Sequence, residues 1–550
     1  MKRFYYLTIL LVLALLSIAS VSAQEKYDSA TVAQIRDEGM NRSKVMEFIS
    51  NIADIYGPRL TYSPAYKRAA DWVQQELTGL GLENSHLESW TPMGKSWTLN
   101  RYSANIIGVQ NWPLISYPKA WAPATKGAVT GELIYFDAKT DSALETFKGK
   151  LKGKFVMTSD LQEIKAHFDP EATRIADSTL LNMANADMPR RGGFGGGRRP
   201  GGAQTPAEVR QRAIFDSTKI DMCMKEGALG LLTISRGDGG NVFVQNASVV
   251  YGPDTPDTLR FAAQDPKAPK ILSQISVGAE HYNRLVRMLR KGEKPKLELN
   301  VDATMAKPDS GYNIVAEIPG TDLKDEIVLI GGHFDSWHGG TGATDNGTGS
   351  AVCMEAMRII KTLGLHPRRT IRIALWGGEE EGLIGSREYV KAHLGERPGP
   401  AFGPNANTGE INYKPEAEKF DVYFNNDNGS GKVRGVYMQG NEATRPIFRS
   451  WLKPFADMGA STVTLQNTGG TDHQSFDRIN LPGFQFIQDQ LEYNTRTHHA
   501  TMDVVDRVQE EDVKQASVIM AAFAYNAAMR DEKFPHKPIP KPDPKPAGSN

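Results

Sequence analysis

An α/β fold, a mostly parallel mixed sheet with helices on both faces, is predicted by three observations. First, residues 328–330 (VLI) and 371–375 (IRIAL) are short apolar runs, the first closed directly by Gly and the second by Trp-Gly-Gly, and they read as buried strands. Second, helix-length segments alternate with such runs through the C-terminal half. Third, chemistry follows each run: His333, Asp335 and Asp345 after the first, Glu379 and Glu380 after the second. Ligands of an open α/β sheet collect beyond the carboxyl ends of its strands. One imidazole and four carboxylates therefore converge on one edge. Carboxylates crowded together repel, and a divalent metal is the simplest counter-charge.

Taken in order, the chain opens with a targeting signal over residues 1–23. Lys2 and Arg3 precede an apolar run, and Val21-Ser22-Ala23 gives a small-x-small cleavage pattern before Gln24. The run is short for a bilayer span of about 20 residues, so an exported protein, periplasmic or secreted, without a membrane span is expected. Residues 24–124 begin the catalytic domain, with helical periodicity over 30–80 interrupted at Gly57-Pro58. Residues 125–300 change character: short strands near 131–136 and 153–158, and a helix-like 220–226 leading into GALGLLTIS, suggest a small β-rich accessory domain. Inside it, residues 189–202 (PRRGGFGGGRRPGG) are too glycine-rich to bury a core and are expected as a disordered, solvated basic loop.

The main catalytic part spans 301–532. NIVAEIPG (313–320) alternates like a strand and leads through a turn at 322–325 into the central run. Asp345-Asn346-Gly347 opens a helix to about 363, 368–376 is the next strand, and a helix follows Gly382. Further strands are expected at 421–424 and 484–487, and an apolar-striped helix at 513–529. Residues 533–550 alternate Pro with Lys and form an extended tail. At 550 residues the chain exceeds one ordinary core. Its zero formal net charge argues against nucleic acid or an anionic membrane as a partner. The two cysteines, Cys223 and Cys353, are expected as buried free thiols.

A lone His-x-Asp carries little information, but here five candidates recur: His333, Asp345, Glu380, Asp427 and His499 each follow a strand or sit in a polar, glycine-rich loop. One Asp between two metals, with one His and one further carboxylate on each, makes a sensible shell for two zinc ions. Asp335 is spaced to accept the other ring N–H of His333, and Glu379, beside a ligand, is a candidate base for water.

HFDSW…GATDNG, LHPRRTIRIALWGGEEEGLIGS, the Asp427 loop, GGTDHQSF and HHATMD together resemble the two-zinc exopeptidases typified by bacterial leucyl-type aminopeptidases. The branch containing carboxypeptidase Q shares the Ser336-Trp337 continuation and the basic lead into the Glu-Glu strand. Residues 310–530 carry the resemblance strongly and 40–100 weakly, through GPRL at 57–60, while 125–300 resemble the protease-associated domain often inserted in this family. The resemblance implies two zinc ions per chain: His333 and Asp427 on one, Glu380 and His499 on the other, Asp345 bridging. It implies Glu379 as general base and Asp335 as orienter of His333, and Asp503, four residues on, selects His499 over His498. Asp472 and His473 fall in the segment that lines the substrate side in that family. His338, His366 and His393 match no motif position and read as ordinary polar residues.

The function this implies is hydrolysis of peptide bonds at peptide N-termini or in dipeptides, with aminopeptidase and dipeptidase action both open and dipeptides slightly favoured. Zinc is the expected cofactor, although imidazole and carboxylate ligands also accept cobalt or manganese. The substrate is a peptide or dipeptide, and a homodimer is one arrangement open to the chain. Two other classes compete: a glutaminyl cyclase-like acyltransferase on a related fold, and a non-catalytic receptor-like ectodomain, which would have lost ligands. Serine hydrolysis lacks a G-x-S-x-G, and Gly94-Lys95-Ser96 lacks the upstream Gly of a phosphate loop.

Overall fold

Three neighbouring strands rich in Ile, Val and Leu form the centre of the molecule, because runs apolar on both faces can only be stable between two covering layers. The computed structural model describes residues 25–108, 110–187, 206–399 and 409–538. The expected signal at 1–23, the Gly/Arg loop at 189–202 and most of the Pro/Lys tail lie outside the described residues.

In chain order the main strands are β1 (Glu83–Ile107), β2 (Ser116–Pro118), β3 (Val129–Tyr135) and β4 (Lys154–Met157). Then come β5 (Gly230–Ile234), β6 (Gln274–Val277), β7 (Lys296–Ile318), β8 (Leu323–His333) and β9 (Arg369–Trp376). The last four are β10 (Phe420–Asn425), β11 (Val433–Tyr437), β12 (Thr462–Thr464) and β13 (Gly483–Gln488). They form one sheet in the order β12-β11-β13-β10-β8-β9-β7-β3-β4-β5-β6-β2, with β1 lying along β7. β8 is parallel to β9 and β10, and β10 is parallel to β13, so these four strands end on the same edge. A second parallel set, β3 to β6, continues the sheet.

Alternation along the central strands divides the core into two layers. Val328, Ile330, Ile371, Ile373, Leu375, Val422 and Phe424 face one cluster, shared with α1 (Thr348–Thr362). Leu329, Ala374, Trp376 and Tyr423 face the other, covered by α2 (Ile384–His393) through Tyr389 and Val390. α3 (Glu510–Met529), apolar on most of its surface, packs on the first side and is buried from Val513 to Ala528 with few exceptions. The mostly parallel sheet covered on both faces is thus the observed architecture.

Several local expectations need correction. Residues 24–124, read for helices alone, also supply β1, which pairs antiparallel with β7 from Glu83↔Glu317 to Ile107↔Lys296. The 313–320 strand is the end of this 23-residue β7. No turn persists to residue 325, because β8 already begins at Leu323. The 125–300 segment, expected as β-rich, also holds helices at Pro206–Glu226 and Ala279–Arg290, and buries its own cluster around Phe155, Leu232, Ile275 and Leu285. The expected tail is docked where it starts: Phe534 is buried among Phe424, Phe448 and Trp451, and its N–H donates to Asp421 Oδ1 at 2.6 Å. Cys223 and Cys353 are free and buried in different clusters. Among the described residues no helix is long and apolar enough to cross a membrane.

The glycine two residues before His333 sets the spacing of the central pair. A Cβ on Gly331 would lie 2.1 Å from the Ala374 carbonyl oxygen of β9. Gly331→Ala is therefore expected to destabilise the fold by about 1–3 kcal/mol, read as a lowered denaturant midpoint with unchanged m-value.

Candidate metal centre

Each functional side chain sits where a strand ends and the backbone becomes free to turn. His333 is the last residue of β8, with Asp335 two residues beyond it. Asp345 lies in the single turn Ala343–Gly347, which follows Gly342 at φ 68° and runs into α1. Glu379, Glu380 and Glu381 follow β9 through Gly377 and Gly378, and Asp427 follows β10. His499 comes from the loop after β13 and has a left-handed φ of 64°, uncommon for a residue with a Cβ.

These residues meet. His333 Nε2 lies 3.2 Å from Asp345 Oδ1 and 3.4 Å from Asp427 Oδ1. On the other side, His499 Nε2 lies 2.9 Å from Glu380 Oε2 and 3.3 Å from Asp345 Oδ2. The two oxygens of Asp345 thus serve two separate groups. His498 is also nearby, its Nε2 3.9 Å from Asp345 Oδ2, but its ring stacks on Tyr493 at 4.6 Å.

The donor set fits zinc: imidazole nitrogens and carboxylate oxygens, with room for one Asp to serve both sides. Two buried oxygens, Asp345 Oδ2 and Glu380 Oε1, have no hydrogen-bond partner, a costly state unless a cation satisfies them. The titration of the cluster agrees. Burial lifts Glu379 and Glu380 well above the usual Glu range, with Asp427 and Asp345 adding to it respectively. Burial alone would lower His333, but Asp427 and Glu379 overcome it and hold the imidazole well above its ordinary value. So much uncompensated negative charge at one point calls for a dication.

Supporting contacts refine the assignment of Asp335. The His333 ring is oriented by the backbone carbonyl of Asp335, 3.0 Å from Nδ1, whereas the carboxylate lies 3.6 Å away. That carboxylate instead accepts the amide N–H groups of Glu379 at 3.1 Å and Glu380 at 3.2 Å, and the Thr61 hydroxyl at 3.0 Å. Three donors hold this carboxylate, and its Oδ1 stays 3.6 Å from the ring nitrogen. Asp335 therefore fixes the loop that carries both glutamates.

Asp503, used in the sequence only to choose between two histidines, has a structural task of its own. It accepts the Thr344 N–H at 2.6 Å, the Thr344 hydroxyl at 2.7 Å and the Asp345 N–H at 3.2 Å. Buried Arg59, within the GPRL stretch, donates to the carbonyls of Ile52, Phe334, Thr341 and Gly342 and ties the two sides of the site together. Nothing in the sequence around Asp503 or Thr61 announced these contacts, because they depend on loops meeting across more than 100 residues. Asp472 is fully buried with neither carboxylate oxygen hydrogen-bonded by geometry, and burial raises it to about 7. His473 points its Nε2 at the Thr468 carbonyl, 3.1 Å away, and is buried in its own helix.

Fold and site together define a metallopeptidase of the zinc-exopeptidase type. Residues 313–524 match the sequence profile of peptidase family M28, and the chain is a peptide hydrolase. Among curated relatives, carboxypeptidase Q of Mus musculus is 25% identical over 97% of this chain and 100% of its own length. Leupeptin-inactivating enzyme 1 of Streptomyces exfoliatus is 31% identical over 32% of this chain and 35% of its own. Among solved structures, a peptidase M28 precursor from Shewanella amazonensis superposes with a TM-score of 0.64 at 21% identity, over 93% of this chain and 98% of that one. BSAP, a zinc aminopeptidase from Bacillus subtilis, gives 0.54 at 17% identity, over 90% and 97%. Both share the fold.

Two predictions arise from these contacts. Asp503→Ala releases the turn carrying Asp345 and is expected to weaken zinc binding about 10–100-fold, measured by competition with a chromogenic chelator. His338, fully buried with Nε2–H donating to the Pro118 carbonyl at 2.7 Å, is pushed down to about 4 by burial. Its unfolded value near 6.5 is higher, so between those pH values the unfolded chain binds the proton and the folded chain does not. Stability is therefore full above pH 6.5 and falls by about 3 kcal/mol on the way to pH 4. Denaturant midpoints across that window should show a shallower fall in His338→Gln.

Proposed function

We propose that this chain is an exported, two-zinc exopeptidase that cleaves dipeptides and the N-terminal bond of short peptides. The observation that carries the reading is Asp345, with one oxygen 3.2 Å from His333 and the other 3.3 Å from His499. A carboxylate shared in this way suits two cations side by side. His333 and Asp427 would hold one, Glu380 and His499 the other. The likeness to carboxypeptidase Q along the whole chain favours dipeptides among the substrates. The 125–300 segment is read as an inserted accessory domain that shapes the mouth of the site.

Bound zinc would supply Lewis acidity to the scissile carbonyl and acidify the attacking water. The chain's own groups do the rest. Glu379, next to a ligand but not engaged with the opposing histidine, takes the proton from water and delivers it to the leaving amine. Asp335 holds the Glu379 amide at 3.1 Å and so fixes where the base can reach. The substrate's ammonium is drawn to the carboxylates that crowd this edge, which makes the enzyme read chain ends. On the opposite side Trp337 packs edge-on to His499, ring centres 6.1 Å apart, and Trp121 packs edge-on to Trp337. This aromatic wall shields the centre from bulk water.

Glu379→Gln keeps the shape of the base and removes its proton affinity. It should retain two zinc ions per chain by metal analysis while losing about 10²–10⁴-fold in dipeptide hydrolysis. Retained activity would take the base assignment away from Glu379, and one or no zinc in the wild type would end the two-metal reading.

A further inference from the structure

In the 125–300 segment the loop of residues 236–244 runs against residues 496–501, beside the metal centre. The Val244 N–H donates to the His499 carbonyl at 2.9 Å, the Thr501 N–H to the Val242 carbonyl at 2.9 Å, and Asn241 Nδ2 to the Arg496 carbonyl at 2.7 Å. In this loop Arg236 donates from Nη2 to the His498 carbonyl at 2.7 Å. Its guanidinium lies over the Phe243 ring, 4.4 Å from the centroid. The ring in turn packs on the backbone beside the arginine, since a Cβ on Gly237 would sit 2.2 Å from Phe243 Cε2. The guanidinium is therefore pinned at one corner and on one face, at the exposed rim of the site.

What the arginine lacks is an anion. Among the described residues no carboxylate pairs with it, although Asp238 is two positions away, because Asp238 is bound to His167 Nε2 at 2.9 Å. The neighbouring cations are all engaged: Arg496 with Glu171 and Glu492, Arg507 with Glu492, and buried Arg59 with four carbonyls. Arg236 alone of this group keeps Nε–H and Nη1–H without a protein partner among the described residues. A planar, pre-oriented fork with two free donors matches a carboxylate.

We propose that Arg236 binds the free α-carboxylate of the residue leaving from the active site, so that the preferred substrates are dipeptides. This rests on the peptidase reading above and names its substrate class. In a dipeptide the carboxylate lies one residue beyond the scissile carbonyl, a step of about 3.8 Å between successive Cα atoms. Arg236 donates to the carbonyl of His498, the residue beside His499, so its guanidinium lies at the rim next to that side of the centre. In this reading the ammonium end would meet the crowded carboxylates and the carboxylate end would meet Arg236, the guanidinium of this group left uncommitted among the described residues. A longer peptide would carry an uncharged amide to that fork and lose the charge-assisted pair.

The test uses full-length, zinc-loaded protein: wild type, Arg236→Gln and Arg236→Lys. For each, kcat/KM is measured on one dipeptide, on the same dipeptide with its C-terminus amidated, and on a tripeptide sharing its N-terminus, and zinc affinity is measured by chelator competition. The wild type is expected to favour the free dipeptide over both others by about tenfold or more. Arg236→Gln should collapse that ratio towards one, chiefly through KM, with zinc affinity within about twofold of wild type, and Arg236→Lys should recover part of the ratio. A wild type that does not discriminate against the amide overturns the proposal. So does a glutamine variant that loses activity on all three substrates in proportion and loses zinc with it, because Arg236 then only braces the His498–His499 segment. A zinc-loaded wild type that cleaves none of the three overturns the peptidase reading itself, and this inference with it.

Discussion

Mutual repulsion of buried carboxylates is the constraint around which this molecule is built. Asp335, Asp345, Glu379, Glu380, Asp427, Asp472 and Asp503 lie close enough to perturb one another, and most are nearly or fully removed from water. No arrangement of that kind is stable unless each oxygen is given a donor or a cation. The fold provides donors where it can. Asp335 is satisfied by two backbone amides and a threonine, and Asp503 by two amides and another threonine. What remains unsatisfied, Asp345 Oδ2 and Glu380 Oε1 above all, is what a dication would complete. The division is physical: Asp335 and Asp503 are spent on backbone and threonine donors, whereas Asp345 and Glu380 each keep an oxygen free for a cation.

This division also explains how much of the protein could be read from its sequence. The central strands were legible because burial on both faces leaves continuous apolar runs, as at 328–330 and 371–375. Residues that end such strands and carry His, Asp or Glu stand out against apolar neighbours, and His333, Asp345, Glu380, Asp427 and His499 do meet in space. The β1–β7 ribbon was not legible. Each strand exceeds 20 residues, is half-exposed over much of its length and is interrupted by register shifts, so neither shows a sustained period of two. Its pairing spans more than 180 residues, and no local pattern encodes a contact at that separation. The role of the Asp335 carboxylate was only partly legible for a related reason. Sequence spacing placed it near His333, but the donors that claim it, Glu379 N–H and Thr61, come from other parts of the chain.

The loop carrying His499 shows how a strained segment is held from outside. A left-handed φ at a histidine costs on the order of 1 kcal/mol and persists only where the surroundings dictate it. Here the surroundings are the 236–244 loop, which hydrogen-bonds to the carbonyls of Arg496, His498 and His499 in turn. The Arg174 guanidinium adds a second tie to the same region through Asp489 and Asp512, at 2.9 and 2.8 Å, and residue 173 bridges to Leu491. The segment between residues 125 and 300 is therefore more than a cover, because it helps to determine the backbone of a residue at the centre.

That dependence limits how the two halves can vary. A substitution in the 236–244 loop that shifted the backbone by an ångström would move the His499 carbonyl, and with it the imidazole facing Glu380 at 2.9 Å. Donor-to-metal distances tolerate only a few tenths of an ångström, so the geometry of the centre and the shape of its rim cannot change independently. By contrast the His333 side is held by β8, by Asp335 in the loop that follows it, and by Arg59 from the N-terminal helical segment. The centre thus has one rigid wall and one wall borrowed from the neighbouring segment. A change on the borrowed side therefore reaches both the rim and the His499 side of the centre, while the sheet-held side keeps His333 in place.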